Sequence, residues 1–144
     1  MKGSLVTAFV AVAMCCIVDA QRSGTQLSRK SPSGMYTSEQ AGRGSSLFAE
    51  HCAPCHAADL TGTPTGPGLT GLELASQWRN RPLGEFFSLM RSTMPKNSPG
   101  GLTTAQNVDL LAFILQQAKF TAGPNALDGN LDVLNTMTLA PDAR

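Results

Sequence analysis

Both histidines of the chain and two of its four cysteines fall in one short run, His51-Cys52-Ala53-Pro54-Cys55-His56. The other two cysteines, Cys15 and Cys16, lie in an apolar stretch near the N-terminus. Nearly all the metal-binding chemistry of the chain is therefore gathered at one point, and any fold must be built around it. At 144 residues the chain has room for one domain. Two readings of the cluster fit poorly. A structural zinc site usually draws its four ligands from two separated pairs, whereas here all four would come from one turn of chain. A thioredoxin-like redox pair needs a βαβ setting, and no alternating strand pattern of useful length is present.

The spacing Cys52-x-x-Cys55-His56 instead has the form of a c-type haem attachment site. Two thiols three positions apart can each add to a haem vinyl group, and the next residue presents an imidazole to the iron. The expected cofactor is one haem c, attached through Cys52 and Cys55 with His56 as the proximal metal ligand. His51 adjoins an attached cysteine and is held to the proximal side, which leaves methionine for the sixth position. Beyond the N-terminal stretch the methionines are Met35, Met90, Met94 and Met137. Pro95 follows Met94, and proline disfavours helix at the preceding residue, so Met94 is expected in extended backbone that can aim its thioether inward. Met90 reads as ordinary core packing. Met94 is therefore the expected distal ligand. His/Met ligation favours ferrous iron and fills the coordination sphere, which suits electron transfer rather than bond chemistry.

The N-terminus reads as an address. Lys2 is followed by an uncharged run over residues 5–18 and by Val18-Asp19-Ala20, which places small residues at −3 and −1 of a cleavage site before Gln21. The apolar run is shorter than the roughly 20 residues of a membrane-spanning helix. Residues 1–20 are thus expected to be a signal peptide, the mature protein to be periplasmic with no membrane span, and no free thiol to remain. With 11 Lys+Arg against 10 Asp+Glu the net charge is +1, and no basic stripe marks a nucleic-acid partner. No Ser/His/Asp arrangement, phosphate-binding glycine loop or paired carboxylates indicate an enzyme.

Residues 21–36 have the composition of a flexible arm. A domain is expected over residues 37–118, opening on a capping box at Thr37-Ser38-Glu39-Gln40 whose helix runs into the cysteine cluster. A glycine- and proline-rich loop spans 57–72, a short helical turn 73–78, and a helix from Pro82 to about Ser92. A second capping box, Thr103-Thr104-Ala105-Gln106, opens a helix to about Ala118 with a broad apolar face. Residues 119–144 are expected to pack over the body as an extension, with Leu127, Leu131, Leu134 and Met137 at helical spacing. The fold class is all-α, with three to five short helices around one covalently bound haem.

Over residues 38–118 the chain resembles a class I cytochrome c, and an all-α cytochrome c-like fold is what the resemblance implies. In that family a glycine and an aromatic eight and four residues before the first haem cysteine pack on an aromatic of the C-terminal helix. Here these are Gly44, Phe48 and Phe113. Gly66-Pro67-Gly68-Leu69-Thr70-Gly71 resembles the loop whose proline carbonyl accepts the proximal histidine's second N–H, which gives Pro67 that role. Met94-Pro95 matches the distal-ligand pair. Trp78 is either a hydrogen-bond donor to a haem propionate, as in some members, or a packing residue on the macrocycle. Arg79, Arg81 and Arg91 are candidate propionate partners. More narrowly, Met94-Pro95 followed by Pro99-Gly100-Gly101-Leu102 is similar to bacterial cytochromes that serve quinoprotein dehydrogenases.

The resemblance implies redox protein partners, a dehydrogenase donor and an oxidase or cytochrome acceptor, met as a monomer or in a transient complex. Two other readings are a haem peroxidase or gas sensor with a labile distal ligand, and a bound cytochrome subunit of a dehydrogenase complex. The lysine ring of mitochondrial-type members is absent, since only Lys30, Lys96 and Lys119 follow the N-terminal stretch. An apolar or weakly polar docking patch is expected in its place.

Overall fold

The computed structural model describes residues 32–139. The expected signal peptide, most of the expected arm and the last five residues of the expected extension lie outside the described residues. Among the described residues there is no strand, only helices joined by loops. No described helix is long and apolar enough to cross a membrane.

Both capping boxes form as the sequence predicts. The Thr37 side chain accepts from the Gln40 N–H while the Gln40 side chain accepts from the Thr37 N–H, which opens α1, Ser38–His51. Thr103 and Gln106 do the same for α5, Thr104–Gln117. Between them lie α2, Ala53–His56, α3, Gly71–Trp78, and α4, Leu83–Thr93. A single turn, α6, Leu131–Leu134, follows. Six helices lie among the described residues rather than three to five, because α2 and α6 are four-residue turns with no room for a periodic pattern. Pro82 does not lie inside the first turn of α4, as the sequence suggests. It has the helical φ of −58° but a ψ of 135°, and so serves as the cap residue.

The helices α1 and α5 cross at Gly44 and bury Phe48 against Phe113, with ring centroids 5.4 Å apart. Arg43 grips Asp109 beside the crossing with a two-pronged ion pair, Nε to Oδ2 at 2.7 Å and Nη2 to Oδ1 at 2.8 Å. The core continues through Leu83 and Phe87 of α4 and through Leu110, Leu111, Ile114 and Leu115 of α5.

The chain after α5 is part of this body. Leu127, Leu134, Met137 and Leu139 are buried. The buried side chain of Gln40 anchors the extension, donating from Nε2 to the Leu127 carbonyl and accepting the Leu127 N–H at Oε1, both at 2.8 Å. One glutamine thus caps α1 and ties down the tail.

The described end of the N-terminal arm differs from the flexible segment its composition suggests. Pro32 is buried, Gly34 N–H donates to the Thr121 carbonyl, and Gly123 N–H donates to the Tyr36 carbonyl. Tyr36 is fully buried and its hydroxyl donates to the Phe120 carbonyl. Burial pushes the phenol's pKa up, so it stays a donor. The partners of 32–36 lie some 85 positions away, which no local pattern announces. Tyr36→Phe should cost about 1–3 kcal/mol, the cost of leaving a buried carbonyl unpaired. Denaturant midpoints of the two proteins measure this, and equal midpoints would show that the bond contributes nothing.

Candidate functional site

The attachment turn grows directly out of α1. Cys52 N–H donates to Phe48 O as the last bond of that helix, and α2 restarts at once with Cys55 N–H and His56 N–H both donating to Cys52 O. Pro54, which has no N–H to offer, sits in the first turn of α2, where none is needed. After His56 the chain turns away through Ala57, in a left-handed conformation at φ 62°.

His56 is buried, and its Nδ1 lies 2.7 Å from the carbonyl oxygen of Pro67. A carbonyl can only accept, so Nδ1 carries a proton here and Nε2 is the ring nitrogen left to face a metal. Gly66, just before Pro67, is packed so closely that a Cβ there would lie 2.6 Å from the Cys55 carbonyl oxygen and 3.1 Å from Cε1 of His56. A side chain at this position would push Pro67 off the ring.

Cys52 and Cys55 are half-buried and not joined to each other. Burial, with a smaller contribution from Cys55, pushes the Cys52 thiol up to about 11. Such a thiol is mostly protonated at neutral pH, which ill suits a disulfide-exchange pair. Among the described residues no three His, Cys, Asp or Glu side chains converge as a metal cluster, which speaks against the zinc reading.

Met94 stands on a different element. It ends α4 with its N–H on Met90 O, and its backbone is extended at φ −121°, ψ 154°, the conformation expected before Pro95. Its side chain is half-buried. The alternatives are committed elsewhere: Met137 is fully buried in the core, and Met35 and Met90 pack against it. Trp78 is buried at the end of α3, edge-on to Phe86 at 5.0 Å, with the Arg81 guanidinium 4.1 Å above its ring. Arg81 also pairs with Glu85 at 2.8 Å. Arg81 is therefore engaged as the lid of Trp78, and one face of the indole is covered.

The structure thus brings Cys52, Cys55, His56 and Pro67 into one unit, with Met94 and Trp78 on separate elements. A helical domain that offers paired thiols beside a pre-oriented imidazole defines a c-type haem protein. A model of the cytochrome c family matches residues 41–118, more than half of the chain, and the chain belongs to that family. Its cofactor is haem c, for which Cys52 and Cys55 form the attachment pair, and electron transfer is the family's chemistry. Among solved structures it is similar to the sulfane dehydrogenase SoxCD from Paracoccus pantotrophus, with 23% identity and a TM-score of 0.46. That likeness covers 56% of this chain and 44% of the other, so this chain spans less than half of that protein's length. No curated relative matches.

Proposed function

We propose that the protein is a periplasmic one-electron carrier, with His56 as proximal ligand and Met94 as distal ligand of its haem. It takes electrons from a dehydrogenase, a quinoprotein by resemblance, and passes them to an oxidase or another cytochrome. The observation that carries this reading is the Nδ1–Pro67 bond, which fixes the tautomer and aim of His56 before any metal arrives. Iron held by a nitrogen and a thioether changes little in geometry between its two oxidation states. Trp78 enters the proposal as a haem neighbour, packing on the macrocycle or donating its indole N–H to a propionate. Residues 1–20 are proposed as the export signal.

Exposed Pro54, Pro64 and Thr65 around the attachment turn carry no charge, and the exposed charges beside it, Glu50 and Asp59, are two isolated acids rather than a cluster. Electron exchange with the partner should therefore depend weakly on salt. From low to high ionic strength the bimolecular rate constant should change by less than about threefold, where steered pairs gain roughly 10–1000-fold at low salt. Stopped-flow reduction of the oxidised full-length product by candidate dehydrogenases measures this. The ferric visible spectrum of the same sample should be low-spin. A high-spin spectrum would replace the carrier reading with a peroxidase or sensor. Co-purification with a large dehydrogenase would replace the free carrier with a bound subunit.

A further inference from the structure

A side-chain hydroxyl of the loop that carries Pro67 bonds directly to the attachment turn. Thr63 Oγ1 lies 2.6 Å from the Cys55 carbonyl oxygen, 2.8 Å from Thr65 Oγ1 and 3.1 Å from the Thr65 N–H. A threonine hydroxyl has a single proton, and the carbonyl can only accept. That proton therefore goes to Cys55, and the Thr65 hydroxyl and N–H both donate to Thr63. Every hydrogen-bonding position of the Thr63 oxygen is then used, in a loop where most side chains face water.

The consequences run straight to the imidazole. The carbonyls of Cys55 and His56 end the α2 turn and have no helical partner. Thr63 takes the first, and the Gly62 N–H takes the second at 3.0 Å. Thr63 then closes a tight turn on Gly66, with N–H to carbonyl bonds of 2.8 and 3.2 Å in the two directions. Pro67 follows immediately. Gly62 braces it from the other side, since a Cβ there would lie 2.9 Å from the Pro67 carbonyl carbon. The position of the Pro67 oxygen is thus fixed by a ring of contacts in which Thr63 supplies the loop's side-chain bond to the backbone of the haem-bearing turn.

We infer that Thr63 is a positioning residue for redox tuning: its hydroxyl holds the Pro67 carbonyl at hydrogen-bond distance from His56 and so sets how strongly the imidazole donates to iron. This rests on the reading of His56 as proximal ligand. A tight Nδ1–H···O bond makes the imidazole more basic and favours the ferric state. Loosening it favours the ferrous state and raises the potential.

The test uses the full-length holoprotein and its Thr63→Val variant, which keeps the branched shape and removes the hydroxyl. The ferrous-to-ferric ratio at a fixed ambient potential should rise by about tenfold, equivalent to about 59 mV for a one-electron couple. The His56 Nδ1 proton, followed by NMR, should exchange with water about tenfold faster as its bond opens more often. Thr63→Ser, which restores the hydroxyl, should return both to the original values. If Thr63→Val fails to take up haem, Thr63→Ala, which adds no atom, should give the same shifts. An unchanged potential and exchange rate, with His56 ring signals still shifted by the iron, would overturn the role of Thr63 alone. Absence of that iron-induced shift in the unsubstituted protein would overturn the His56 reading and this one together.

Discussion

Replacing Met94 by leucine should lower the reduction potential on the order of a few tenths of a volt, because axial ligands set haem potentials over about 0.8 V in all. Leucine matches methionine in volume, so packing around the half-buried side chain is kept and only the sulfur is lost. The sign follows from softness: a thioether favours ferrous iron, and removing it leaves the ferric state relatively more stable. The sixth position would then be open to water, and the ferric spectrum should turn high-spin and respond to added azide or imidazole. Met90→Leu is the control, since Met90 packs against the core one turn earlier in α4 and should move neither quantity. Met137 is fully buried among core side chains and cannot step in. If Met94→Leu left spectrum and potential unchanged, the distal ligand would have to be sought elsewhere.

Features of the site that lie close together along the chain are legible in the sequence itself. The attachment motif is five residues long, and the tie of Met94 to extended backbone depends only on its neighbour Pro95. Each capping box closes over three positions, so Thr37 with Gln40 and Thr103 with Gln106 announce their helices locally. The Gly44, Phe48 and Phe113 set comes from resemblance rather than spacing, and the two rings do pack at the α1–α5 crossing, tilted by 51°.

What composition alone misreads is held by partners far along the chain. Ser, Gly and Pro before Thr37 suggest an arm, yet Tyr36 is buried and its hydroxyl donates to the Phe120 carbonyl, 84 positions on. Gln40 reads as a capping residue, and nothing near it in sequence shows that it also holds Leu127, 87 positions away. Thr63 belongs to the same group. In the run Thr61-Gly62-Thr63-Pro64-Thr65 it looks like loop filler, and only folding reveals which threonine meets Cys55.

Gly44→Ala should destabilise the protein by about 3 kcal/mol or more, at or beyond the upper end of ordinary overpacking. An added Cβ would lie 1.9 Å from the Asp109 carbonyl oxygen, 2.6 Å from its carbon and 2.9 Å from the Phe113 Cβ. Two of these three atoms are backbone, so no rotamer change relieves the clash and α1 and α5 must move apart. That movement would spread the Phe48–Phe113 rings and pull Arg43 from its fork on Asp109. It would thus weaken the seam that enters the attachment turn, and haem incorporation should fall with stability.

Two residues earlier in the same helix, Gly42 is exposed and has nothing within 4 Å of the same added atom. Gly42→Ala should therefore stabilise by about 0.5–1 kcal/mol, the backbone-entropy gain of alanine in a helix. Both substitutions carry that gain, so the difference between them isolates the close approach of the helices. Guanidinium melts of the two holoproteins should move in opposite directions. If Gly44→Ala melted with Gly42→Ala, α1 and α5 would not cross at Gly44 and the packing that leads into Cys52 would have to be redrawn.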